Sequence, residues 1–220
     1  MTRSDAARLL LAAWRYREVQ KGHPTGRYSR RHLARFILVG LYTGTRAAAI
    51  CGAALAPTEG KGWIDVNCGI FCRRPAGERE TKKRRPPVPL PNRLLAHLRR
   101  WKRLGQAYAV EWNGKPVKDV DKAFRALARS VGLPWVTPHV LRHTAATWLM
   151  QLGTPKWEAA EYLGMTAKQL DDVYGHHHPE HLKAPRDAFD RPPMLRQKIT
   201  ATKREHSQSN VTPIAANSRR

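Results

Sequence analysis

The sequence predicts a mostly α-helical domain that carries a small three-stranded antiparallel β-sheet. Three observations predict this class. Apolar residues recur at helical spacing along most of the chain, and residues 60–91 change to short β-like pieces separated by Gly, Asn and Pro. Hydrophobic residues make up 41% of the 220 residues, which is enough apolar material for a core. We therefore expect most of the chain to fold.

The predicted elements follow in chain order. A first helix starts at Ser4 as its N-cap and stops near Gly22, and a second covers residues 29–44. Residues 47–51 form a short helix of small residues that we expect to be buried. The predicted strands cover residues 63–66, 69–73 and 87–90. The later helices cover residues 92–104, 117–131, 139–152, 155–163 and 167–174.

The chain is expected to hold one folded domain, residues 1–185, and a disordered basic polar tail, residues 186–220. The tail loses the apolar period and gathers Ser, Asn, Thr, Gln and Arg. No apolar run approaches the roughly 20 residues that cross a bilayer, and we find no export signal. Three cysteines are too few for a disulfide framework, which favours a reducing, intracellular setting.

The charge of the chain indicates a polyanionic partner. The chain has 40 Lys+Arg against 17 Asp+Glu, a formal charge of +23. The tail holds eight Lys/Arg and three Asp/Glu, so residues 1–185 keep +18. Residues 73–103 contain 12 Lys/Arg, and we interpret them as a surface that follows phosphates, with a solvated surface or a localisation tag as the alternative.

Two arginines follow helix-start or chain-breaking signals. Arg46 begins the short third helix, and Arg142 lies in the helix that starts at Pro138. His139, Arg142 and His143 then fall on one face near the positive end of the helix dipole, which favours an anion. Two guanidinium groups can hold the oxygens of one phosphodiester and neutralise the charge of its pentavalent transition state.

Tyr174 ends the last helical pattern and is either a core aromatic or a nucleophile. A phenol with its ordinary pKa of about 10 is a poor nucleophile, so it would need surrounding cations that favour the phenolate. Downstream histidines could in principle gather a metal, but consecutive side chains diverge and no Cys or acidic partner lies nearby. We expect them to form a basic, pH-sensitive rim and to hold no metal. They are His176, His177, His178 and His181.

This ordered set of motifs resembles the catalytic domain of the tyrosine recombinases, the phage integrase family. The resemblance covers roughly residues 5–184. Its strongest stretches are Tyr-Thr-Gly-Thr-Arg at 42–46, Thr-Pro-His-Val-Leu-Arg-His-Thr at 137–144, and Tyr-Leu-Gly at 162–164 followed by Tyr-Gly-His at 174–176.

The resemblance implies cleavage of double-stranded DNA without a metal or a cofactor. Tyr174 attacks the scissile phosphate, forms a 3′-phosphotyrosyl bond and releases a 5′-hydroxyl, and the bond energy is kept for rejoining. By position, Arg46 and Arg142 match the two arginines that clamp this phosphate. His139 matches the group that exchanges the proton of the tyrosine.

The same resemblance implies further contacts and an assembly. The β-hairpin lysine that protonates the leaving 5′-oxygen matches Lys82, with Lys83 as the other possibility. Family members act on DNA as assemblies of several protomers, so we expect a homotetramer in a bacterial or phage-derived, nucleoid-associated cytoplasmic setting. The candidate DNA contacts are Lys83, Arg84, Arg85 and His143.

Two positions depart from the family pattern. Met165 stands where the family has His or Trp, and methionine cannot donate a hydrogen bond there. Ala49 replaces the acidic residue that follows the first clamping arginine by three positions. These changes leave two alternatives: slower chemistry, or a variant set of supporting residues in which His143, His176 or His177 substitutes.

The resemblance covers a catalytic domain without the helical core-binding domain that usually precedes it. About 25 residues precede the second predicted helix, so we expect weak and strongly salt-dependent DNA binding. Two alternatives stay open: a catalytically impaired DNA-binding remnant of an integrase, and a type IB topoisomerase, which shares the Tyr/Arg/His chemistry.

Overall fold

The computed structural model describes residues 1–79 and 84–190, and it confirms the mostly helical class with a small antiparallel sheet. The chain divides into two compact units, residues 1–183 and residues 184–220. The elements that precede the sheet are α1 (Arg3–Arg15), β1 (Val19–Gln20), β2 (His23–Pro24), α2 (Arg31–Thr43) and α3 (Ala47–Cys51).

The predicted three-stranded sheet is confirmed. Its strands are β3 (Trp63–Asp65), β4 (Ile70–Cys72) and β5 (Val88–Pro89), paired antiparallel in the order β3-β4-β5. After the sheet follow α4 (Asn92–Arg103), β6 (Glu111–Trp112), β7 (Lys115–Pro116), α5 (Asp121–Ser130), α6 (Pro138–Gln151), α7 (Lys156–Leu163), α8 (Ala167–Tyr174), a 3₁₀ turn (Gly175–His177) and α9 (Lys183–Asp190).

Two short hairpins were not predicted. Helix α1 ends seven residues before the expected stop, where Tyr16 adopts an extended conformation. Lys21 and Gly22, with positive φ angles of 47° and 81°, then turn the chain between β1 and β2. Asn113 and Gly114, with φ angles of 49° and 74°, make the corresponding turn between β6 and β7. An Asn-Gly pair is the sequence signal for such a turn, and here the signal was overlooked.

The tail that the sequence predicts to be disordered starts at residue 186, within a helix of the structure. Helix α9 covers Lys183–Asp190, although none of its residues is buried. The rest of the predicted tail lies outside the described residues. In the part of the chain that the structure describes, no helix is both long enough and apolar enough to span a membrane.

Helix α2 is the centre of the main core. Leu33, Phe36, Ile37 and Gly40 repeat at helical spacing and are buried, and the helix packs against α1 on one side and α6 on another. A second, smaller core is formed by α6, α7 and α8; we call it the C-terminal core. Its members are Ala145, Ala146, Met150, Ala159, Ala160, Leu163, Leu170 and Tyr174.

Gly44 joins the two cores at the end of α2. It has a φ angle of +58°, and its N–H donates to the carbonyl of Gly40 at 2.9 Å. A Cβ atom on Gly44 would lie 2.2 Å from Cδ2 of Leu163, which is fully buried. The turn therefore needs glycine for its backbone conformation and for the close approach of α7.

We expect Gly44→Ala to lower the free energy of unfolding by more than backbone strain alone. Gly132→Ala is the matched control, because Gly132 has a φ of +72° and open space around its Cα. The control should cost about 1–2 kcal/mol for the left-handed conformation, and Gly44→Ala should cost about 1–3 kcal/mol more for overpacking. Urea unfolding measures both. Equal losses would contradict the close approach of Leu163.

Candidate active site

The last carbonyl groups of α2 organise the candidate site. The carbonyls at a helix C-terminus have no partner within the helix and carry the negative end of the helix dipole. Here three consecutive carbonyls accept hydrogen bonds from three distant side chains. Their distances are 3.0 Å from Tyr162 Oη to the carbonyl of residue 42, 2.8 Å from Arg73 Nη2 to that of residue 43, and 2.8 Å from Arg142 Nη1 to that of residue 44.

Arg142 binds more than the end of α2. Its side chain is 6% exposed, and Nη1 also donates to the carbonyl of Leu163 at 2.5 Å, while Nη2 lies 3.5 Å from the carbonyl of Gly164. One guanidinium group thus joins α6 to the ends of α2 and α7. Burial, with a contribution from the charge of Arg46, lowers the pKa of Arg142 to about 10.

Arg46 is placed by the same turn. Thr43 Oγ1 donates to the carbonyl of Val39 at 2.6 Å and accepts the N–H of Thr45 at 3.2 Å, which ends α2 and directs the chain into α3. Arg46 stands at the N-cap of α3, half-buried, and Nη1 donates to the carbonyl of Arg84 at 3.0 Å. Burial and then the charge of Arg85 lower the pKa of Arg46.

Arg73 is the site residue that the sequence analysis misplaced. It was assigned to the surface that follows phosphates, whereas the structure leaves it only 4% exposed. Burial lowers its pKa to about 9, and the charges of Arg142 and Arg46 act in the same direction. The signal was present in the sequence: Arg73 lies two residues after the buried Phe71, so strand alternation turns it inward.

Tyr174 ends α8 in the C-terminal core and is 7% exposed. Its Oη forms a short hydrogen bond with Nδ1 of His143. Burial raises the pKa of Tyr174, while the charge of Arg142 acts in the opposite direction. In the protein without DNA the effect of burial on this pKa thus exceeds that of the Arg142 charge.

The two histidines of α6 lie at increasing distance from Tyr174: His143 contacts the tyrosine, and His139 packs against His143. The His143 ring is 5.9 Å from the Tyr174 ring, and the His139 ring packs edge-on against His143 with 4.4 Å between ring centres. Both histidines are exposed. Partial burial, followed by the charges of His139 and Arg142, lowers the pKa of His143, so this imidazole is neutral at neutral pH.

The spacing of the motifs and their placement together decide the family. A family model described as the phage integrase family matches residues 18–181. The chain belongs to the phage integrase family. Among curated proteins, no sequence matches it.

Solved structures show that the fold is shared. The XerA recombinase is similar with a TM-score of 0.58 and 20% identity, over 87% of this chain and 64% of that one. A Tn1549 transposon integrase, solved in complex with transposon right end DNA, is similar with a TM-score of 0.63 and 16% identity, over 87% and 66%. This chain thus spans about two thirds of those two proteins. The catalytic domain of the bacteriophage HP1 integrase is similar with a TM-score of 0.54 and 21% identity, over 85% and 92%.

The two positions that depart from the integrase pattern have distinct surroundings. Met165 is partly buried and packs against the C-terminal core, where it contributes apolar contact only. Ala49 lines a cavity of about 700 Å³ beside Arg46 and Arg73, and the described lining of this cavity contains no carboxylate. An integrase with an acidic residue at position 49 would place a negative charge here.

The structure describes only some of the remaining predicted site residues. Lys82 and Lys83 lie outside the described residues. Arg84 is exposed and contributes its carbonyl to Arg46, and Arg85 forms an ion pair with Glu78. Among residues 1–79 and 84–190, no group of His, Cys, Asp and Glu side chains could hold a metal ion.

We expect the two arginines of the motifs to differ in their effect on stability. Arg142→Gln removes hydrogen bonds to buried carbonyls of α2 and α7, each worth about 1–3 kcal/mol when left unpaired, and relief of the buried charge offsets part of this. We expect a loss of at least 2 kcal/mol in the free energy of unfolding. Arg46→Gln removes one half-exposed hydrogen bond and should cost less than about 1 kcal/mol. Equal losses in denaturant unfolding would contradict the structural role of Arg142.

Proposed function

We propose that this protein is a site-specific DNA recombinase that cleaves and rejoins double-stranded DNA through a covalent 3′-phosphotyrosyl bond on Tyr174. One observation carries the proposal: the phenol of Tyr174 is held against an imidazole within the electrostatic reach of Arg142. Among described groups this is a nucleophile with a proton acceptor beside a cation, which is the arrangement that nucleophilic attack on a phosphodiester needs.

The hydrogen bonds of Arg142 leave part of its guanidinium free for a phosphate. A guanidinium has five N–H donors. Nη1 is occupied by two carbonyls, while Nη2 makes only a long contact of 3.5 Å. We propose that Nη2 and Nε bind one face of the scissile phosphate and that Arg46 binds it from the end of the α2 turn. The two positive charges stabilise the transition state in a site that carbonyl groups have already fixed.

The proposed partners are double-stranded DNA and further copies of this chain. DNA fits the formal charge of +23, and a Tn1549 integrase of the same fold is solved bound to DNA. Lys82 is the proposed acid for the leaving 5′-oxygen. From the resemblance to the integrase family we propose that the chain acts in a tetramer on DNA. Binding should weaken steeply with salt as phosphate counterions are released.

A catalytically impaired DNA-binding remnant is the second candidate. The cavity beside Ala49 and the apolar packing of Met165 favour it, because each replaces a polar group that the integrase pattern places near the phosphate. Such a protein would keep the basic surface and lose turnover.

Trapping of a covalent adduct separates the two candidates. A nicked suicide duplex loses the fragment with the 5′-hydroxyl after cleavage, so the protein should remain attached to the DNA after denaturation. We expect the adduct from the wild-type chain and none from Tyr174→Phe. Tyr162→Phe is the matched control, because Tyr162 is the other tyrosine near these arginines and its hydroxyl already donates to a carbonyl. An adduct that persists in Tyr174→Phe would overturn the assigned nucleophile, and no adduct on any duplex tested would favour the remnant.

A further inference from the structure

The integrase resemblance assigns the proton of the nucleophilic tyrosine to His139, but the structure places a different histidine against it. Nδ1 of His143 is the hydrogen-bond partner of Tyr174 Oη. His139 lies behind His143, with 4.4 Å between the ring centres and the planes nearly perpendicular at 88°. The geometry points to His143 as the catalytic residue that accepts the proton of Tyr174 during cleavage and returns it during rejoining.

The helix positions explain this order. His139 and His143 are four residues apart on α6 and lie one above the other on one face. Tyr174 reaches that face from α8, since both helices pack in the C-terminal core. The tyrosine therefore meets the imidazole one turn further into α6. His139, nearer the start of the helix and exposed, is left to face the DNA.

The protonation states fit a transfer from Tyr174 to His143. Burial raises the pKa of Tyr174, and we assign its Oη as the donor to Nδ1 of His143, with the ring proton of His143 on Nε2. The charged neighbours of His143 are His139 and Arg142 on its own helix, and both lower its pKa. The 3₁₀ turn after α8 packs against α6 and carries two more imidazoles, those of His176 and His177.

The proposed step moves one proton and exchanges one bond at phosphorus. As the lone pair of Tyr174 Oη forms the bond to phosphorus, its proton moves to Nδ1 of His143, and the phosphorus–O5′ bond breaks with its electron pair on O5′. The leaving oxygen takes a proton from a separate acid, the role proposed for Lys82. Rejoining reverses the step: O5′ attacks phosphorus, the phosphotyrosyl bond breaks, and imidazolium His143 returns the proton to Oη.

This inference rests on the proposed function, and its test separates the two. The substrate is a nicked duplex with a 5′-bridging phosphorothiolate, whose thiolate leaves without protonation. The pH dependence of single-turnover adduct formation then reports the proton transfer from Tyr174, because the leaving group needs no proton. The variants are His143→Gln and His139→Gln, two exposed positions on the same helix, and thermal melting confirms that both fold. Glutamine can accept a hydrogen bond but cannot hold the proton.

We expect the wild-type rate to rise with pH through an inflection below the ordinary histidine pKa of 6.5. His143→Gln should be slower by at least about 10²-fold and lose the inflection, because the proton acceptor is gone. His139→Gln should stay within about tenfold, with the inflection moved to higher pH, because the neighbouring charge no longer lowers the pKa of His143.

Two outcomes would overturn the inference. A wild-type rate and pH profile in His143→Gln, with loss of both in His139→Gln, would return the role to His139 and leave the proposed function intact. No adduct from the wild-type chain would overturn the proposed function and this inference with it. Nitrogen-15 NMR of the full chain gives a test without DNA: a proton on Nδ1 of His143 at neutral pH would contradict the inference.

Discussion

The C-terminal end of α2 is the feature on which the rest of the structure depends. Three consecutive carbonyls accept hydrogen bonds from Tyr162, Arg73 and Arg142, which come from α7, from the end of β4 and from α6. A helix end buried without partners would be unstable, because its carbonyls have lost their water. Here that requirement fixes two guanidinium groups in the interior, and the turn that follows presents Arg46. We propose that the same contacts that complete the fold also prepare an anion site.

The electrostatic consequence is a site that favours a negative charge before any substrate arrives. Burial lowers the pKa values of Arg73 and Arg142, because their positive charges have lost water and need compensation from neighbouring groups. The helix dipole and the carbonyls of α2 supply part of it. The cavity beside Ala49 offers no carboxylate in its described lining. We propose that a phosphodiester supplies the remaining charge and that its binding energy comes from a polar environment arranged during folding.

The sequence predicted those features that local patterns encode. Helical spacing gave α2 and α6, Pro138 marked the start of α6, and short alternating pieces gave the three-stranded sheet. The two hairpins were missed because two-residue strands carry little apolar alternation, although the Asn113-Gly114 turn was readable. The partners of charged groups could not be predicted. Whether Tyr174 meets His139 or His143 depends on how α8 packs against α6, and periodicity does not determine that packing. Lys82 lies outside the described residues and stays a prediction.

Mapping of the protein–DNA bond tests the central claim most directly. After adduct formation on a suicide duplex, trypsin digestion should release a peptide of residues 169–183, in which Tyr174 is the one tyrosine. We expect mass spectrometry to find the nucleotide on this peptide, joined through a 3′-phosphate. A nucleotide on the neighbouring peptide of residues 157–168, which contains Tyr162, or a 5′-phosphate linkage, would contradict it.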